Sequence, residues 1–218
     1  MARDYFNSIY DVIWERKTKF YGFAKYEKFI VHEIIKRNPD KVFEVGIGNA
    51  WPIGMALKKK NIRVFGCDVS KKLVEAAHQN LNCNEGIYVG ELKDIVLKEK
   101  FDTVYCVRTS WYITDFYQVL ERMFSIVEND GYVIFDIMER ESLYFGKQVM
   151  DQIKTIIKKY MGLKEENRRR LFFYSRFEIE KYLRKNKISY YCFNERLIEH
   201  SNDYANTPKR IYICKKGK

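Results

Sequence analysis

The chain has 218 residues, 46% of them hydrophobic and 16% aromatic, enough for one large domain with a sizeable core and incompatible with a disordered chain. It carries 40 Lys and Arg against 29 acids, a net charge of +11, which permits binding of nucleic acid or acidic substrates without demanding either. Five scattered cysteines without a CxxC pair, an opening MARDYFNSIY that lacks a signal-peptide pattern, and the lack of any 18-residue apolar window exclude a disulfide scaffold and predict a reduced, cytoplasmic protein that does not span a membrane.

Residues 1–38 read as a helical cap. Tyr5, Phe6, Ile9, Tyr10, Ile13 and Trp14 cluster at helical spacing, and FYGFAKYEKFIVHEII continues beyond a break at Gly22. This aromatic face suits either core packing or a lid across the end of a sheet. From residue 39 to 218 the pattern predicts one further domain. Strand-length apolar runs at Lys41–Gly46, Ile62–Cys67, Gly86–Val89, Thr103–Val107 and Tyr132–Ile137 alternate with helical stretches at Pro52–Lys60, Lys71–Gln79 and Asp115–Val127. Such alternation predicts a parallel sheet with crossover helices. Pro52 suits a first helical turn, and Ser70 and Thr114 read as N-caps.

Beyond the fifth strand the spacing of Val149, Met150, Ile153, Ile156, Ile157, Tyr160 and Met161, opposite Lys154, Lys158 and Lys159, predicts an amphipathic helical insertion at about 140–172. It would cover the sheet or close over a substrate. SRFEIEKYLRKN reads as a short helix, and Ile188–Asn194 and Arg210–Cys214 as two closing strands around a polar loop. The basic run Arg168–Arg170, with Phe172, Phe173 and Tyr174 beside it, would suit either a nucleic-acid surface or a solvated face next to core aromatics.

The stretch VFEVGIGNAWPIG, residues 42–54, carries the chemistry. A dinucleotide fingerprint G-x-G-x-x-G would need a third glycine where Trp51 stands, and Glu44 ahead of the turn would repel a diphosphate. That acid instead suits a ligand ammonium, while Gly46 and Gly48 allow close backbone approach and the following helix end favours a carboxylate. Asp68 follows Gly48 by 20 residues, where an acid accepts ribose hydroxyls. Glu91, ending the third strand, can accept from an adenine amine or simply occupy the start of a helical turn.

The set VFEVGIGNA, VFGCDVS, YVGEL and FDTVYCVRTSWYI resembles the class I S-adenosylmethionine (SAM)-dependent methyltransferases over about residues 40–138, with Ala50 where a third small glycine is common. The resemblance implies a three-layer αβα sandwich around a seven-stranded, mostly parallel sheet of order 3-2-1-4-5-7-6, the last strand antiparallel. It implies SAM as cofactor, S-adenosylhomocysteine (SAH) as product, and Glu44, Gly46, Gly48, Asp68, Val69, Glu91, Leu92 and Arg108 as the residues that hold it.

Acceptor residues should then lie at the carboxyl ends of the strands. Trp14, Trp111, Tyr112 and Arg140 are the expected substrate contacts. His200, on the loop before the last strand, and Tyr10 and Tyr21 are the expected catalytic or gating side chains, whereas His32 and His78 should face solvent. With no N/D-P-P-Y and no Pro-Cys motif, the reading favours a small-molecule methyl acceptor under an aromatic N-terminal lid. The alternative is an RNA- or protein-modifying methyltransferase that uses the basic surface.

Overall fold

The computed structural model describes residues 25–83, 85–141, 171–194 and 209–217, with positions 146, 149, 150 and 153 between them. The described chain opens with α1 (Lys25–Ile35), whose Tyr26, Ile30, Val31 and Ile34 fall on one buried stripe. It continues through β1 (Lys41–Val45), α2 (Ile53–Lys58), β2 (Arg63–Asp68), α3 (Lys71–Leu81), β3 (Ile87–Val89), β4 (Phe101–Cys106), α4 (Phe116–Ile126) and β5 (Val127–Met138). The last elements are α5 (Arg176–Lys185), β6 (Ser189–Asn194) and β7 (Lys209–Lys215).

All seven strands form one sheet of order β3-β2-β1-β4-β5-β7-β6. The first five strands pair in parallel, and β7 runs antiparallel between β5 and β6. The expected sheet order is the observed one. Its central strands are near-continuous apolar runs because helices cover both faces. On one face Tyr26, Ile30 and Ile34 of α1 and Ile53 and Leu57 of α2 pack against Val42, Tyr105, Ile134 and Ile211. Val74, Ala77 and Leu81 of α3 extend that layer over Ile47 and Ile87. On the other face Phe116, Leu120 and Met123 of α4 and Ile179 and Leu183 of α5 pack against Phe43, Val104, Phe135 and Tyr212.

Ser70 caps α3 as expected, its hydroxyl accepting from the Leu73 N–H at 3.3 Å. The cap of α4 is not Thr114 but Asp115, whose carboxylate accepts from the Gln118 N–H at 3.3 Å. An acid at this position also complements the positive helix end. Pro52 lies just before α2 and not within its first turn. The fifth strand begins five residues earlier than its apolar run, at Val127. There a bulge sets Val127 opposite Phe101 before regular pairing resumes at Tyr132, and Asp130 takes a left-handed φ of 62°.

Phe173 and Tyr174 are buried. The ring of Tyr174 packs against Phe116 and Tyr117, so these two aromatics serve the core and not a stacking surface. The residues expected as the first cap helix, most of the insertion at 140–172 and the loop 195–208 lie outside the described residues. Among the described residues no helix is long and apolar enough to cross a membrane.

Leu120 is fully buried between α4 and the sheet. Leu120→Ala should cost about 2–5 kcal/mol of stability, read as a lower urea midpoint with an unchanged denaturant slope.

Candidate active site

Two acids, buried Glu44 and half-buried Asp68, organise the turn after β1. The N–H groups of Gly46 and Ile47 both donate to the Cys67 carbonyl, at 2.8 and 3.0 Å, which ties the end of β1 to the end of β2. Asp68 completes the junction: one carboxylate oxygen accepts from the Gly48 N–H at 3.0 Å and the other from the Ser70 N–H at 2.9 Å. Burial raises the Asp68 pKa, and these backbone donors oppose the rise. Val69 supplies a third backbone donor, and the carboxylate's remaining lone-pair capacity is left for a hydroxyl donor.

The turn itself requires left-handed backbone at Gly46 (φ 75°), Gly48 (φ 56°) and Ala50 (φ 63°). A Cβ on Gly46 would lie 2.3 Å from the Thr109 side chain, so this glycine admits the loop after β4 against the turn. At Gly48 a Cβ would meet nothing within 4 Å; this glycine borders open space.

Glu44 is buried at the end of β1 and accepts from the Tyr105 hydroxyl at 2.9 Å. Burial pushes its pKa up to about 8, the Tyr105 bond pulls it down, and nearby Asp68 adds to the rise. At the far side of the turn, Glu91 is exposed and pairs with Lys93 at 2.9 Å. Val69 is half-buried beside Asp68, and the Leu92 side chain belongs to the core under α4.

A second buried carboxylate anchors the loop after β4. Asp136, on β5, is fully buried and accepts the Arg108 backbone N–H on both oxygens at 3.0 Å. It also accepts from the Tyr26 hydroxyl at 2.5 Å. Burial raises its pKa, opposed first by Tyr26, then by the charge of Lys209 and by Arg108. Arg108 sits at φ 61°, and its guanidinium pairs with buried Glu27 of α1. Glu27 Oε2 and the buried Ser110 Oγ have no hydrogen-bond partner among the described residues. The Lys209 ammonium stands 5.7 Å from the Tyr26 ring centre and 5.1 Å from that of Trp111.

Trp111 is buried with Met138 and Phe173 in a small cluster flanked by Tyr112. Burial raises the Tyr112 phenol pKa, opposed by a hydrogen bond with Trp111. Arg140 lies beyond the end of β5, 3.9 Å from Glu178 and bonded to the Phe173 carbonyl at 3.5 Å; it is directed to α5. His32 is exposed, and His78 is half-buried, with Nδ1 2.9 Å from the Cys83 carbonyl. Trp14, Tyr10, Tyr21 and His200 lie outside the described residues.

Reading the sequence misses Tyr26, Glu27 and Lys209. Tyr26 sits in an apolar helical stripe and resembles any core aromatic. Lys209 is one of many lysines, and the available signal is topological: an antiparallel strand beside β5 must start where β5 ends.

Known proteins share this fold. A family model described as a methyltransferase domain matches residues 43–135, the span from β1 to β5. A malonyl-[acyl-carrier protein] O-methyltransferase of Calditerrivibrio nitroreducens is 26% identical over 125 residues, 54% of this chain and 47% of that protein. A ribosomal protein L11 methyltransferase of Desulfatibacillum aliphaticivorans is 31% identical over 83 residues, 35% of this chain and 27% of that protein. The chain thus spans less than half the length of these curated relatives. Among solved structures, magnesium protoporphyrin IX methyltransferase from Synechocystis PCC 6803 with bound SAH matches with a TM-score of 0.69 at 18% identity, covering 99% of this chain and 98% of that one. A SAM-dependent methyltransferase from Thermotoga maritima matches at 0.67 and 19% identity over 100% of both chains. These two likenesses are likenesses of fold. The matched domain, the sheet order and the acid–glycine turn together support a class I SAM-dependent methyltransferase.

Proposed function

We propose that the protein transfers the methyl group of SAM to a small-molecule acceptor at the carboxyl ends of β4 and β5. The observation that carries the donor half is the pairing of buried Glu44 with Asp68 across a glycine turn. The residues fit that ligand. Glu44 offers a buried carboxylate to an ammonium, Asp68 keeps acceptor capacity for the ribose hydroxyls, and the open space at Gly48 admits the ligand against the backbone. Val69 and the tip of β3 at Glu91 then flank the adenine end.

SAM bound here supplies an electrophilic methyl on a sulfonium that leaves as a neutral thioether. The protein's task is therefore alignment, which alone can supply much of the acceleration. Tyr105 orients Glu44, Asp68 holds the turn, and Asp136 holds the loop that carries Arg108 and Trp111. The proteins the chain resembles include methyltransferases of malonyl-[acyl-carrier protein] and magnesium protoporphyrin IX and, as a likeness of fold at 13% identity and a TM-score of 0.65, the plantazolicin methyltransferase BpumL. These favour a small acceptor, although one relative modifies a ribosomal protein. The lid proposed over the acceptor is the aromatic N-terminal helical cap of residues 1–38, with Tyr10 and Tyr21 as gating or contact side chains and His200 as the catalytic side chain.

Thermal shift with SAM, SAH, NAD and ATP tests the donor. SAM and SAH should stabilise the protein and NAD should not; the reverse pattern overturns the proposal. Asp68→Ala should weaken SAM binding by at least about 100-fold, as expected when charged hydrogen bonds to the ligand are lost. Methyl incorporation into tRNA at moderate salt would replace the small-acceptor reading.

Glu44 makes a pH prediction. Its pKa rises from 4.5 to about 8 on folding, so between those values the folded, ligand-free protein holds a proton that the unfolded chain releases. Stability therefore falls as pH rises through this window, by at most about 1.4 kcal/mol per pH unit for this one group. Denaturant midpoints at pH 5 and pH 8 should drop more for the wild type than for Glu44→Gln, and the variant should be the more stable of the two at pH 8. Equal drops would refute the buried-acid assignment.

A further inference from the structure

The side chains around Asp136 are arranged in depth. Asp136 is fully buried and the Glu27 side chain is 4% exposed, whereas the Arg108 side chain is 41% exposed. Lys209, half-buried at the start of β7, stands against the rings of both Tyr26 and Trp111. Arg108 approaches the same Tyr26 ring, its guanidinium carbon 5.4 Å from the centre. Two cations far apart in sequence, one on the loop after β4 and one on β7, thus converge on one aromatic, with two acids packed below them.

This convergence is actively held. A non-glycine residue at positive φ is costly, about 1–3 kcal/mol, and persists only where its surroundings impose it. At Arg108 the imposition is visible: its own N–H is gripped by both oxygens of Asp136. A guanidinium has five donors in a planar fork, and the contact with Glu27 engages one part of it. The accessible side of the cluster is cationic and lies in a partly desolvated, aromatic-walled position, where a charge-assisted bond to an oxyanion is strongest. The net charge of +11 adds a long-range attraction for an acidic ligand.

We propose that Arg108 and Lys209 form an oxyanion subsite that binds a carboxylate or phosphate group on the methyl acceptor. This rests on the methyltransferase reading, since it treats the cleft beside the subsite as the donor site. Asp136 and Tyr26 are positioning residues that fix Arg108 and the ring beneath both cations. The same chemistry could instead serve the carboxylate of the donor's own amino-acid end, and the two sources are separable by experiment.

The test is calorimetric titration of acetate and of inorganic phosphate into the full chain, at constant ionic strength and pH. It is run with the protein saturated by SAH, and again with 5′-methylthioadenosine, which lacks the amino-acid end. We expect saturable binding of at least one anion to the SAH-loaded protein, weakened at least tenfold in Lys209→Gln and substantially restored in Lys209→Arg. An unchanged thermal shift by SAH in both variants shows that they fold. Binding that occurs with methylthioadenosine but disappears with SAH would assign the subsite to the donor and overturn the proposal. No saturable binding, or equal binding by Lys209→Gln, would also overturn it. If SAH itself fails to bind the wild type, the methyltransferase reading falls, and anion binding to the ligand-free chain still decides whether the cations form a site.

Discussion

The geometry of the glycine turn depends on the carboxylate of Asp68. It reaches back from the end of β2 to the Gly48 N–H and forward to the Ser70 N–H, so one side chain fixes both the turn after β1 and the start of α3. Ser70 in turn caps that helix through Leu73. Burying a carboxylate is unfavourable unless donors compensate it, and here three backbone N–H groups, of Gly48, Val69 and Ser70, oppose the rise in its pKa. Removal of this acid would leave orphaned donors in the turn as well as remove the ligand contact proposed for it. Binding and local architecture therefore cannot be separated at this residue.

Asp136 repeats the device on β5, three strands along the sheet from β2. It is fully buried, and it too fixes a loop by accepting backbone N–H, here from Arg108 on both oxygens. The two brackets meet at Thr109, whose side chain occupies the space that a Cβ on Gly46 would need. Glycine at position 46 is thus required twice, for its positive φ and for the approach of the β4 loop. Because β1 and β4 are adjacent in the sheet, the donor turn and the acceptor loop form one continuous rim.

How much of this was legible follows from how far each part extends along the chain. The parallel strands were readable because a sheet covered on both faces needs uninterrupted apolar runs. The donor turn was readable because its parts are local: Glu44, Gly46 and Gly48 lie within five residues, and Asp68 begins the next crossover. Boundaries set by polar geometry were not. Asp115 displaces Thr114 as the cap because its carboxylate reaches Gln118, and the bulge at Val127 starts β5 before its apolar pattern begins. Phe173 and Tyr174 looked equally suited to core or surface, and only packing against Trp111, Met138, Phe116 and Tyr117 distinguishes the two.

The acceptor rim was hidden for a different reason. Tyr26, Arg108, Asp136 and Lys209 come from four separate elements, and no periodicity or spacing connects them. The antiparallel insertion of β7 between β5 and β6 brings Lys209 opposite Met138, beside a carboxylate that α1 already touches through Tyr26. A one-residue slip of that strand would turn Lys209 to the other face of the sheet, so the register of β7 is itself a determinant of the rim. The glycine turn is built from residues close in sequence and the rim around Asp136 from topology, so within one fold the rim can change while the turn stays the same.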